Sequence, residues 1–225
     1  SGKHSTLFIF NHEECSLCEL SSRPAREPVV YTLEQVATIP EKQWHAFVLA
    51  VTETFWQLPE ALRPQNAYFG SLTRASELFP VTDTLAFYSR SADGLWSVNV
   101  TIEREHRQNI LVLKELNFGR QPGDFFARTV FVLLHNLCPD CFRIHSTAGG
   151  ASWSLPLKWI KRFLGHENFS APESVLTTPV RGDVFDCLLL QFLSGQGRQL
   201  SPDDWSALEE AEHQLYWLRA LAGGH

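Results

Sequence analysis

Asn109-Ile-Leu-Val-Leu-Lys-Glu-Leu-Asn-Phe118, then Gly119-Arg-Gln-Pro-Gly-Asp124, then an apolar run from Phe125 to Asn136, then Phe142-Arg-Ile-His145: this stretch decides the fold class. The first segment is dense in β-formers and predicts a strand, central in its sheet and covered on at least one side. Two glycines and a proline then break it. Asp124 is placed to cap a helix that runs to about Asn136, and Cys138-Pro-Asp-Cys141 closes that helix. A short strand follows. With the strands and helices on either side of it, this order predicts an α+β or mixed α/β protein, and α+β is the class taken here.

Upstream, Leu85-Ala-Phe-Tyr-Ser-Arg-Ser91 and Leu95-Trp-Ser-Val-Asn-Val-Thr-Ile102 flank Ala92-Asp93-Gly94, a hairpin signal. Alternation puts Trp96, Val98, Val100 and Ile102 on one face of the second strand. Helical signals begin at Thr32 and Thr38. Thr38-Ile-Pro-Glu41 combines a capping residue, an early proline and a capping-box glutamate. Trp44, Phe47, Val48, Val51, Phe55 and Leu58 then recur with a helical period, ending near Pro59. A further short helical piece is expected at Glu60-Ala-Leu, and Ser5–Phe10 reads as a strand. Downstream of Gly149-Gly150, Leu157, Ile160, Phe163 and Leu164 mark a helix with Gly165 at its C′ position. Residues 175–180 and 184–193 are candidate strands. Ser201-Pro-Asp-Asp204 caps a last helix bearing Trp205, Leu208, Leu215, Leu218 and Leu221. The expected architecture is a single mixed-sheet α+β domain over residues 1–200 with flanking helices, and a C-terminal helix over 201–225.

The chain has 225 residues, 44% hydrophobic and 20% charged, with 16 Phe and 7 Trp, so it can bury a sizeable core. No run approaches the ~18 apolar residues of a spanning helix. A net charge of −6 argues against a non-specific nucleic-acid binder or a basic membrane-surface protein. There is no methionine, so the Ser1-Gly2-Lys3 start reads as a trimmed one, and a targeting segment could have preceded it.

Four of the five cysteines form two pairs. His12-x-x-Cys15-x-x-Cys18 and Cys138-x-x-Cys141-x-x-x-His145 supply four thiols and two imidazoles. Two such knuckles can complete a closed, structural zinc tetrahedron, with His12 or His145 substituting for a thiolate. The separation is far longer than the roughly 12–20 residues of usual zinc modules, so the fold would have to bring the pairs together. The same cysteines also read as small apolar core residues, or as a thiol-redox pair. A zinc deaminase is excluded: Leu137 rather than proline precedes Cys138, and His12 follows a strand instead of lying on a helix. His145-Ser-Thr-Ala-Gly-Gly150 is a polar, small-residue turn after a strand, a geometry that active sites use.

The Gly119-Arg120-Gln-Pro-Gly123 loop leads from a strand to a helix N-terminus, where backbone amides and the helix dipole favour an anion. With the order of elements around it, over about residues 83–193, the chain resembles the GNAT acyltransferase fold. That resemblance implies that Arg120 and Gly123 hold the pyrophosphate of acyl-coenzyme A. Phe125 stands where the family has a second small residue, and the helix over 158–165 lacks the family's frequent tyrosine. Glu115 on the preceding strand is a candidate base.

Weighed together, these residues predict a soluble, cytoplasmic interaction or regulatory domain that binds a protein partner, with a structural zinc as a candidate staple. The partner surface is expected on the helix around Trp205–Leu221. A coenzyme A-dependent acyltransferase is the alternative and a thiol-redox protein the third reading. No complete catalytic motif is present.

Overall fold

The computed structural model describes residues 29–58, 60–91, 93–107, 113–118 and 123–173. These hold five strands and three α-helices in an α+β arrangement: β1 (Tyr31–Gln35), α1 (Glu41–Gln57), β2 (Thr84–Arg90), β3 (Ser97–Glu103), β4 (Leu113–Leu116), α2 (Gly123–Leu137), β5 (Phe142–Ser146) and α3 (Ser154–Phe163). Single 3₁₀ turns lie at Glu60–Leu62, Ala75–Leu78 and Gly149–Ser152. The strands expected at 5–10, 175–180 and 184–193 lie outside the described residues, as does the C-terminal helix with Trp205 and Leu221.

Two antiparallel sheets form, one of order β4-β1-β5 and one the β2-β3 hairpin. β1 is the centre of the first, with Thr32 opposite both Glu115 and His145. This corrects two expectations. The segment beginning at Thr32 is a strand, because Tyr31 and Leu33 alternate inward at 1% and 3% exposure. The strand expected to be central, β4, is instead an edge of this sheet among the described residues. Helix α1 starts two residues later than its capping signal implied. Pro40 is its N-cap, with no side-chain cap bond, and the Thr38 hydroxyl instead accepts from the His106 amide at 2.9 Å.

Helix α2 is the hub. Every residue from Asp124 to Leu134 is buried, as expected for a helix apolar on nearly all sides. Phe126 meets Phe87 of β2 edge-on at 5.1 Å, Phe131 meets Tyr31 of β1 at 5.8 Å, and Phe125 meets Trp159 of α3 at 6.1 Å. Both sheets and α3 therefore pack on one helix. Asp124 does not cap it. The carboxylate lies within the first turn, 2.9 Å from Arg128 Nε one turn on, both side chains 2% exposed. Gly165 follows α3 with a φ of +73°, the left-handed C′ residue expected from the sequence.

Candidate functional site

Cys138 and Cys141 do come together, at the turn that ends α2. The Cys138 amide closes the last helical bond to Leu134, Asp140 takes a φ of +63°, and the Cys141 amide returns to the Cys138 carbonyl at 3.3 Å. Both thiols are free and buried. Their sulfurs face carbonyls: Gln43 at 4.0 Å for Cys138, Thr38 at 3.8 Å and Pro139 at 3.6 Å for Cys141. Burial pushes the Cys138 thiol up to about 12 and raises that of Cys141 too. Burial thus favours the neutral S–H form of both thiols.

His145 does not join them. Strand alternation turns Ile144 and Ser146 inward and leaves His145 outward, 65% exposed. Four residues of strand also carry it roughly 13 Å from Cys141. Among the described residues no three His, Cys, Asp or Glu side chains gather as a metal site. His12, Cys15 and Cys18 lie outside the described residues.

Of the loop residues assigned by the acyltransferase resemblance, Arg120 lies outside the described residues and Gly123 opens α2. A Cβ at Gly123 would stand 2.7 Å from the Ser89 hydroxyl oxygen, so any side chain there would force Ser89 of β2 to shift.

The neutral, buried thiol predicts a pH dependence. Below about 9 both folded and unfolded chains hold the Cys138 proton. Above that the unfolded chain releases it first, so stability falls as pH rises towards about 12, by roughly 1.4 kcal/mol per unit for one such group. Denaturant midpoints at pH 8, 9 and 10 check this, and a Cys138→Ala chain should show a shallower slope, the part due to Cys141 remaining.

Two other clusters were not visible in sequence spacing. The first lies at one end of the β2-β3 hairpin. Leu95 and Trp96 are each 70% exposed and Tyr68 91%. Alternation placed Trp96 on one face with Val98, Val100 and Ile102, but β3 begins only at Ser97, so Trp96 lies outside the strand. The hairpin end is tightly built. The Asp93 carboxylate accepts from the Leu95 amide and the Ser91 hydroxyl, and the Ser91 amide donates to the Trp96 carbonyl at 2.7 Å. These bonds hold the Asp93 carboxyl below the usual range.

Beside it, the Asn66 side chain accepts from the amides of Tyr68 and Gly70, closing a loop in which Phe69 adopts a φ of +64°. Such backbone strain persists only where surrounding contacts hold it. Arg90 supplies one, stacked 4.0 Å from the Phe69 ring centroid while donating to the Gly94 carbonyl. Ser97 supplies another, its hydroxyl donating to the Ala67 carbonyl at 2.6 Å. Loop and hairpin end are thereby one rigid unit presenting Tyr68, Leu95 and Trp96 outward.

The second cluster centres on Glu173. Its Oε2 accepts from the Ser146 amide at 3.0 Å and from the buried Trp153 indole at 2.9 Å, while Oε1 contacts His145 Nδ1. Sequence reading marked His145–Gly150 as a site-like turn but had no signal for Glu173, 28 residues away in the chain.

Comparison of the chain with family models, curated proteins and solved structures finds no match.

Proposed function

We propose that this protein is a binding module that recognises a protein partner through the rigid unit of Tyr68, Leu95 and Trp96. The observation that carries this reading is three large apolar side chains, each at least 70% exposed, held on two loops bonded to one another. Scattered exposed apolar residues are ordinary on protein surfaces, whereas adjacent aromatic ones mark interfaces. Tryptophan and tyrosine dominate interface hot spots because they fill a partner's pocket with little loss of rotamer freedom. Strain at Phe69 and the Asn66 bonds fix the loop before binding, which lowers the ordering cost of association. This surface is a different one from that expected around Trp205–Leu221, which lies outside the described residues. No helix among the described residues is long and apolar enough to cross a membrane. A zinc staple remains part of this proposal only through the two cysteine pairs acting together, and metal analysis of the purified chain measures it directly.

The test is affinity capture with quantitative mass spectrometry, comparing the wild-type chain with the Tyr68→Ala/Trp96→Ala double variant. Both residues are exposed, so the variant should keep its melting temperature. Each hot-spot truncation costs about 2 kcal/mol or more, so partners retained by the wild type should be lost. An undiminished set of captured proteins would remove this surface from consideration.

A further inference from the structure

We propose that His145, oriented by Glu173, is a catalytic general base that activates water against uncharged carboxylic esters. This is an activity independent of partner binding. The argument starts from the carboxylate. Two N–H donors and one imidazole nitrogen converge on Glu173 from two parts of the chain: the Ser146 amide and His145 Nδ1 of β5, and the Trp153 indole before α3. Trp153 is fully buried against Tyr31, 6.1 Å between ring centroids. The Ser146 amide belongs to the sheet, paired in register with β1. Neither donor can swing away without disturbing the core, so the carboxylate is fixed and only 19% exposed.

A fixed carboxylate beside Nδ1 selects the imidazole tautomer that carries its proton there. The lone pair then resides on Nε2. The ring is 65% exposed, so that lone pair is open to solvent and substrate. A carboxylate that orients one imidazole nitrogen and stabilises the cation formed when the other takes a proton is the arrangement general-base catalysis needs.

Support extends beneath the pair. Ser146 Oγ lies 2.6 Å from Ser152 Oγ, and the Ser152 carbonyl accepts from Arg128 Nη1 at 2.8 Å. The turn bearing the dyad is thus tied to the hub helix α2.

Charge selects the substrate class. On the same outward face, two residues along β5, Arg143 is engaged by Glu34 at 3.6 Å. Those two charges are paired with each other, and the carboxylate beside the imidazole is that of Glu173. A phosphate ester would be repelled by it and by a chain of net charge −6, whereas a neutral ester would not. In the reaction, Nε2 accepts a proton from water as the water oxygen bonds to the ester carbonyl carbon. The tetrahedral intermediate then collapses, the carbon–alkoxy oxygen bond breaks, and the alcohol departs with the proton returned by Nε2. Acid and alcohol are released and the imidazole is restored.

The test uses p-nitrophenyl acetate and p-nitrophenyl phosphate with the full chain. The acetate should be cleaved and the phosphate not. His145→Gln should lower the acetate rate by about 10²-fold. Glu173→Gln, a change at the positioning residue, should lower kcat with KM retained, and the wild-type reaction should slow in heavy water. Equal acetate rates for wild type and His145→Gln, both folded by circular dichroism, would overturn the assignment. So would an acetylated His145 with no solvent isotope effect, because the imidazole would then act as nucleophile. Cleavage of the phosphate at a comparable rate would overturn the substrate class.

Discussion

Arg128→Met is expected to cost about 3–5 kcal/mol of folding stability, the loss typical of breaking a buried ion pair from one side. Both Arg128 and Asp124 are 2% exposed, and the guanidinium also donates to the Ser152 carbonyl. Removing it takes the ion pair from the buried Asp124 carboxylate and the hydrogen bond from the Ser152 carbonyl. Methionine retains most of the volume, so the loss measures charge and hydrogen bonding rather than a cavity. Replacing Asp124 as well, in Asp124→Leu/Arg128→Met, should recover most of the loss, since buried pairs exchange for apolar residues at little net cost. Chemical denaturation of the two variants decides it. A single-variant loss below about 1 kcal/mol would show that the pair is not the buried, mutually dependent unit described. Because Arg128 holds Ser152 and Ser152 meets Ser146, the single variant should also loosen the His145–Glu173 pair.

Phe131→Ala is expected to destabilise by about 3–5 kcal/mol, the range for deleting a fully buried aromatic ring. Phe131 is 0% exposed and lies 5.8 Å from Tyr31 and 6.5 Å from Phe118, ring to ring. Those rings come from β1 and from the end of the β4 segment, so one side chain joins the hub helix to the three-stranded sheet. The cavity cannot close by a local shift, since every neighbour from Phe125 to Leu134 is itself buried. Conversion to leucine should cost less than half as much, because part of the volume stays filled. Thermal melts should fall by roughly 2–4 °C per kcal/mol for a chain of this size. An alanine variant melting within about 2 °C of wild type would contradict the hub role of α2.

Both predictions rest on α2, and α2 was legible in the sequence. A dense apolar run after a Gly-Pro break and before Cys138-Pro-Asp-Cys141 specifies a buried helix by composition and punctuation alone. The same holds for the hairpin at Ala92-Asp93-Gly94, the period of α1, the strand at 142–146 and the C′ glycine at Gly165. Each depends on residues within one or two turns of one another. The capping assignments at Thr38 and Asp124 failed for a reason of the same kind: a short polar side chain has several partners within reach. At Thr38 a distant group, the His106 amide, took the hydroxyl, and at Asp124 the Arg128 guanidinium one turn along the same helix took the carboxylate.

By itself, then, the sequence determined the α+β class, the central helix and most element types, because those follow from local period and turn chemistry. Only the tertiary structure decided that β1 is the middle strand of its sheet among the described residues and that Cys138 and Cys141 are buried in the core. It also decided that Trp96 faces outward beside Tyr68 and that Glu173 reaches back to His145. Each of these depends on which distant segments share space, and a side chain's protonation, exposure and partners are set by that sharing rather than by its neighbours in the chain.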